Sequence, residues 1–241
     1  MSSRVDREQW RDGTCGYCGR KTKVNSDHVI AKAIWNVPAE QPIIVDACED
    51  CHSTKSVFEA GLRDFLVLDE DGRQRASDRQ LEKSGRSMGR AGSPFLPLLS
   101  EALVRPGGKD SVDVDFTHIN LAIHWIIRGL YRQVTGHILP EDTPLFAQYF
   151  PNQHLGPVLE FFDYESHVQS GSLGQGTTWW KVMLPDQGDD TDDTSYWFIS
   201  FWDNVHFLVL AGSEASDHAA SLEQAALARV TSIGNVYRIK D

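Results

Sequence analysis

Two Cys-x-x-Cys pairs, Cys15/Cys18 and Cys48/Cys51, contain every cysteine of the chain. Each pair offers two thiolates from one tight knuckle, and two knuckles complete a tetrahedral zinc site with no position left for water or substrate. Such a site is structural. Twenty-nine residues separate Cys18 from Cys48, against roughly 15–20 in a plain zinc ribbon, so a segment is inserted between the halves. That segment carries Asp27-His28, and the second knuckle is followed at once by His52 and then by Lys55. Zinc on the thiolates would draw a carboxylate and two imidazoles from distant parts of the chain into one small volume.

The run Cys-x-x-Cys, Asp-His-Val-Ile, Cys-x-x-Cys-His-x-x-Lys resembles the HNH endonucleases, the four-cysteine branch of the ββα-metal (His-Me finger) nucleases. The resemblance covers roughly the first quarter of the chain. It implies that His28 is the general base, that Asp27 and His52 hold a catalytic divalent ion, and that the four cysteines hold a separate structural zinc. One position departs from the pattern: Ile43 stands where the family usually has an Asn that braces the loop. More loosely, an RGLY-containing helix and a Trp-x-x-x-Phe-Trp stretch are similar to those of bacterial HNH proteins whose nuclease module precedes an α+β domain of unassigned role.

The residue types suit that chemistry without the family. Phosphodiester hydrolysis needs a deprotonated water in line with the leaving oxygen. A neutral imidazole, with an ordinary pKa of about 6.5, accepts that proton near neutral pH. A hard cation on Asp27 and His52 would stabilise the developing charge and the departing 3′ oxygen. Mg²⁺ needs few protein ligands, and the imidazole also suits Mn²⁺ or Ni²⁺. The expected activity is a metal-dependent cut in DNA, with RNA as another substrate class, and Lys55 is expected at a phosphate. The alternative is a catalytically silent zinc-stapled nucleic-acid-binding or adaptor module.

The net charge is −11, which argues against a general coater of nucleic acid. Residues 1–110 hold 17 basic and 17 acidic side chains, and the rest hold 6 and 17. DNA contact therefore belongs to the first half, where Arg20, Lys21 and Lys23 are expected near the substrate. The opening MSSRVDREQWRDG has no apolar signal core, and no apolar run approaches the ~18–20 residues of a membrane span. The expected location is the cytoplasm, and bacterial defence or restriction is the expected context.

These residues need elements to hold them, and the pattern predicts an α+β protein. Residues 1–68 form the ββα-metal module, 69–93 a basic linker or arm, and 94–241 an α+β domain with an antiparallel sheet packed on helices. Within the module, the lead-in around Trp10 packs on the knuckle, and Val29-Ile30 end a first strand. Ile43, Ile44 and Val45 form a second strand. A helix over 53–66 carries Val57, Phe58, Leu62, Phe65 and Leu66 at helical spacing, with Glu59 reading as an exposed residue in preference to a brace on the site through a hydrogen bond. The arm reads as a segment ordered on binding or as an exposed helix between two loops, and its Arg79, Arg86 and Arg90 track phosphates or simply lie on a solvated linker.

Further on, 94–104 suggests a short helix. Ile119, Ala122, Ile123, Ile126, Ile127 and Leu130 mark a major helix ended by Gly136. His118 and His124 on it read as ordinary core or surface residues, and Arg128 has no evident partner. Strands are expected near 157–168, 177–184, 195–202 and 205–211, with Asp203-Asn204 as a tight turn. The aromatic residues there read as the inner face of a sheet, and the acidic run 188–193 as a solvated loop. A helix over 217–230 and an edge strand, NVYRIK, close the chain. The second half would supply substrate selection, a homodimer contact or a surface for a larger complex.

Overall fold

The computed structural model describes residues 10–35, 41–68, 76–89, 117–150, 155–164, 168–173, 177–185, 194–212 and 215. The protein is α+β, with two antiparallel sheets and, among the described residues, four helices. The short helix at 94–104, the acidic run 188–193, the helix at 217–230, the closing strand and Arg90 lie outside the described residues. Within them, no helix is long and apolar enough to cross a membrane.

The first sheet is a three-stranded meander of β1 (Arg11–Thr14), β2 (Lys21–His28) and β3 (Ile44–Cys48). Strand β2 lies in the middle and pairs His28 with Ile44 and Val24 with Cys48. Trp10, just before β1, is 37% exposed. It borders a surface cavity shared with Arg20, Cys48, Glu49 and Asp50, beside the knuckle rather than buried on it. Helix α1 (Glu49–Leu68) starts directly after β3, four residues earlier than the periodicity suggested. Glu49 and Asp50 in its first turn complement the positive end of the helix dipole.

The buried stripe of α1 runs Cys51, Lys55, Glu59, Leu62 and Leu66, at spacings of three and four that line one helix face. Val57 faces solvent instead. Helix α2 (Asp78–Met88) occupies the expected linker, packs on α1 and buries Gln80, Ser84 and Met88. Arg63 of α1 pairs with Asp64 and donates to Ser84 Oγ at 3.2 Å. Helix α3 (Thr117–Thr135) buries the six apolar residues its periodicity marks and stops at Gly136, whose φ is +74°.

The second sheet has strand order β4-β8-β7-β6-β5: β4 (Leu145–Phe150), β5 (Val168–Leu173), β6 (Thr178–Met183), β7 (Ser195–Phe201) and β8 (Val205–Ala211). The last three match the expected strands. The stretch read as a strand near 157–168 is instead mostly helix α4 (Leu155–Tyr164). Leu155, Val158, Leu159 and Phe162 fall at i, i+3, i+4 and i+7 and pack on the sheet's outer cluster. On the opposite face, Trp180, Trp197, Phe201 and Phe207 share one buried cluster with Tyr17, Val29 and Ile34 of the first segment. The aromatic stripe is thus a packed interior. Between β7 and β8 the turn holds Trp202 and Asp203 at φ 57° and 61°, a left-handed geometry that costs a non-glycine residue about 1–2 kcal/mol.

At Gly129 the backbone of α3 passes close to the first segment. A Cβ there would stand 2.7 Å from both methyls of Val29 and 3.2 Å from the Tyr17 ring. Gly129→Ala is therefore expected to destabilise by about 1–3 kcal/mol through overpacking. At Gly85 on α2 a Cβ meets nothing within 4 Å, and Gly85→Ala should instead add up to about 1 kcal/mol. Urea unfolding of the two variants beside wild type checks both signs.

Candidate metal centre

Cys15 and Cys18 flank a turn that follows β1. Its backbone closes through Cys15 N to Arg20 O and Gly19 N to Cys15 O, both at 2.9 Å, with Gly19 at φ +74°. Cys48 ends β3, and Cys51 lies in the first turn of α1. All four sulfurs lie within 4.8 Å of one another, Cys18 Sγ and Cys48 Sγ at 3.9 Å. A tetrahedral ion with Zn–S bonds of about 2.3 Å has sulfur–sulfur edges of about 3.8 Å, so the cluster has the size a zinc ion needs. The cysteines are free thiols, not disulfides.

Electrostatics point the same way. The hydrogen bond shared with Cys15, and then burial, push the Cys51 thiol up, while the same bond brings Cys15 down to about 4. Packed thiols cannot all ionise against one another, and a dication removes that repulsion. Arg20 adds positive charge from outside, donating to Cys18 Sγ at 3.3 Å and Cys48 Sγ at 3.7 Å while pairing with Asp50 at 2.9 Å. This places Arg20 on the thiol cluster. Lys23 is paired with Asp12.

Beside the cluster, Asp27 Oδ1 lies 3.0 Å from His52 Nδ1. Two cis ligands of an octahedral ion with bonds of about 2.1 Å stand about 3.0 Å apart, so this oxygen and nitrogen have the spacing of a shared ion as well as of a hydrogen bond. Asp27 is buried, whereas the His52 side chain is 38% exposed. His28 is the next residue along β2, and its ring meets Trp35 edge-on at 5.3 Å between centroids. Partial burial, then the charge of Lys32, holds its pKa below 6.5 despite the opposing pull of Asp27, so the imidazole is neutral at pH 7. Where the Asn of the resembling family was expected, Ile43 accepts from Val29 N through its backbone carbonyl at 2.9 Å.

The other oxygen of Asp27 is held from below. Oδ2 accepts from the Tyr17 hydroxyl at 2.8 Å and lies 3.1 Å from Lys55 Nζ. Lys55 is not at an open face, as a phosphate contact would require. It is 1% exposed and donates to His28 O and Glu59 Oε1, each at 2.7 Å. Glu59 likewise is buried and accepts from Ala31 N at 3.0 Å. Its pKa rises to about 7 because burial outweighs the charge of Lys55. Arg128 of α3 donates two hydrogen bonds to Tyr17 O, at 2.9 and 3.2 Å, and others to Leu139 O and Pro140 O. His124 beside it is held neutral, its pKa lowered to about 3 by burial and Arg128.

Tyr17 and Arg128 had no identifying signal in the sequence. Lys55 and Glu59 did: counted from Cys51, they continue the helical spacing of a buried face. Arg79 and Arg86 sit on the exposed side of α2, with Arg86 paired to Glu82 at 3.3 Å. Comparison with family models, curated proteins and solved structures found no match to this chain.

Two outcomes follow. Lys55→Met would leave two buried carboxylates without their shared cation, costing about 3–5 kcal/mol; a loss under about 1 kcal/mol in urea would contradict the arrangement. Glu59 binds its proton more tightly folded than unfolded. Its contribution is therefore full below about pH 4.5 and is lost as pH rises through about 7. The stability of Glu59→Gln relative to wild type should rise between pH 5 and pH 8, and a flat difference would contradict the shift.

Proposed function

We propose that the chain is a zinc-stapled, metal-dependent endonuclease of the HNH type that hydrolyses phosphodiester bonds in DNA. The observation that carries this reading is the 3.0 Å approach of Asp27 Oδ1 to His52 Nδ1, with His28 next to Asp27 on a strand end braced by buried charge. Asp27 and His52 would hold the divalent ion, which supplies charge neutralisation at the phosphate and the leaving oxygen. His28, neutral at pH 7, takes the proton of the attacking water. The hydroxide so formed bonds to phosphorus as the bond from phosphorus to the 3′ oxygen breaks, and the leaving oxygen takes a proton from solvent, giving 5′-phosphate and 3′-hydroxyl ends. Tyr17 and Lys55 occupy Asp27 Oδ2 and so leave Oδ1 turned to His52. The four cysteines hold zinc and take no part in the chemistry.

A silent zinc-stapled adaptor is the second reading, favoured by one feature: both oxygens of Asp27 already have partners within the protein. Nicking of supercoiled plasmid separates the two. With Mg²⁺ or Mn²⁺ the wild type should cut, with EDTA it should not, and His28→Ala should lose at least about 100-fold in rate with zinc content and fold unchanged. Equal cutting by His28→Ala would remove the assignment. A monomer with one such site would nick, whereas a dimer through the second half would cut both strands.

A further inference from the structure

We propose that Trp202 and Gln80 are positioning residues that hold the loop after His28 from outside the metal module. The inference rests on the nuclease reading for its catalytic consequence, but not for the clamp itself. The loop from Val29 to Trp35 leaves β2 immediately after His28. Its last buried carbonyl, Ile34 O, accepts from the Trp202 indole nitrogen at 2.7 Å and from Gln80 Nε2 at 3.0 Å. A carbonyl oxygen has two lone pairs, and here both are taken, by donors 168 and 46 residues away in sequence.

The position of that oxygen matters because Ile34 O and Trp35 N belong to one rigid peptide plane. Fixing the oxygen fixes where Trp35 begins, and Trp35 is the ring that meets His28 edge-on. The start of the loop is tied separately, through Ala31 N to Glu59 Oε1 and Ile34 N to Ala31 O. The His28 side of the site is thus gripped from α1, from α2 and from the β7–β8 turn.

Backbone strain supports a role beyond filling space. Trp202 sits at φ 57°, fully buried, in a region that bulky residues rarely adopt. The turn itself would be served without strain by glycine. Asp203 anchors the tip through its N–H to Thr177 O and its carboxylate to the Trp179 indole, both at 3.0 Å. Such strain persists where the surroundings over-determine it, often at functional sites. In this turn it delivers an indole N–H to the loop. Gln80 uses its other atom, Oε1, to accept from Ser77 N at 2.8 Å, so the start of α2 aims its amide.

The test uses the full chain with Trp202→Phe, which keeps most of the apolar bulk and removes the N–H, with Gln80→Leu, and with the double variant. Hydrogen exchange of the 31–35 amides, thermal midpoint and single-turnover plasmid nicking are measured for each. Either single variant leaves one donor, so exchange should rise a few-fold and nicking slow by about 3–10-fold. The double strands the carbonyl. Exchange over 31–35 should then rise more than about tenfold and nicking should slow by more than the product of the singles. KM for DNA and exchange in β7, β8 and the Cys15–Cys18 turn should stay unchanged. Unchanged loop exchange in a folded double variant overturns the clamp. Faster exchange with unaltered nicking overturns the positioning role. A wild type that cuts nothing removes the nuclease reading, and the exchange result then decides the clamp by itself.

Discussion

Four sulfurs within 4.8 Å of one another tie together the turn after β1, the end of β3 and the first turn of α1. An ion bound there ties folding to metal loading, because the unfolded chain has no such site. The geometry also places the rest. Cys48 closes β3 and Cys51 lies in the first turn of α1, so His52 and Lys55 are carried on a helix beside the end of β2. The Asp27–His52 contact depends on that register.

Beneath it lies a set of buried charges that hydrophobic burial would normally exclude. Lys55 sits between Asp27 and Glu59, with the Tyr17 hydroxyl completing the hydrogen bonds. A buried cation between two carboxylates is weak evidence of stability, since well-packed apolar residues often serve as well. Its worth here is orientation, because it assigns one oxygen of Asp27 to the interior and the other to His52. The second half of the chain encloses this set. Trp125 packs edge-on against Tyr17 at 5.4 Å, and Arg128 fixes the Tyr17 carbonyl. One buried cluster runs from the thiols to the five-stranded sheet.

Much of this was legible. Cysteine spacing is a local code for a metal site, and the sulfurs converge as that code requires. The apolar face of α3 and the three strands from 177 to 211 follow from periods of 3.6 and 2. The errors have physical causes. Aromatic and branched residues around 155–164 suggested a strand, although their spacing was helical. An apolar-only reading of α1 put Val57 inside and left Lys55 and Glu59 out, because charged residues are seldom buried. The clasp of Arg128 on Tyr17 and of Trp202 on Ile34 joins residues 111 and 168 positions apart, and no local pattern encodes such pairings.

The central claim is spatial: a sulfur-bound ion sets Asp27 and His52 around a second one. Anomalous diffraction from crystals of the zinc-loaded protein soaked in Mn²⁺ tests it most directly. The account predicts a zinc peak among Cys15, Cys18, Cys48 and Cys51 and a separate manganese peak bonded to Asp27 Oδ1 and a His52 ring nitrogen. A zinc peak alone, manganese bound elsewhere, or no metal among the four sulfurs would contradict it.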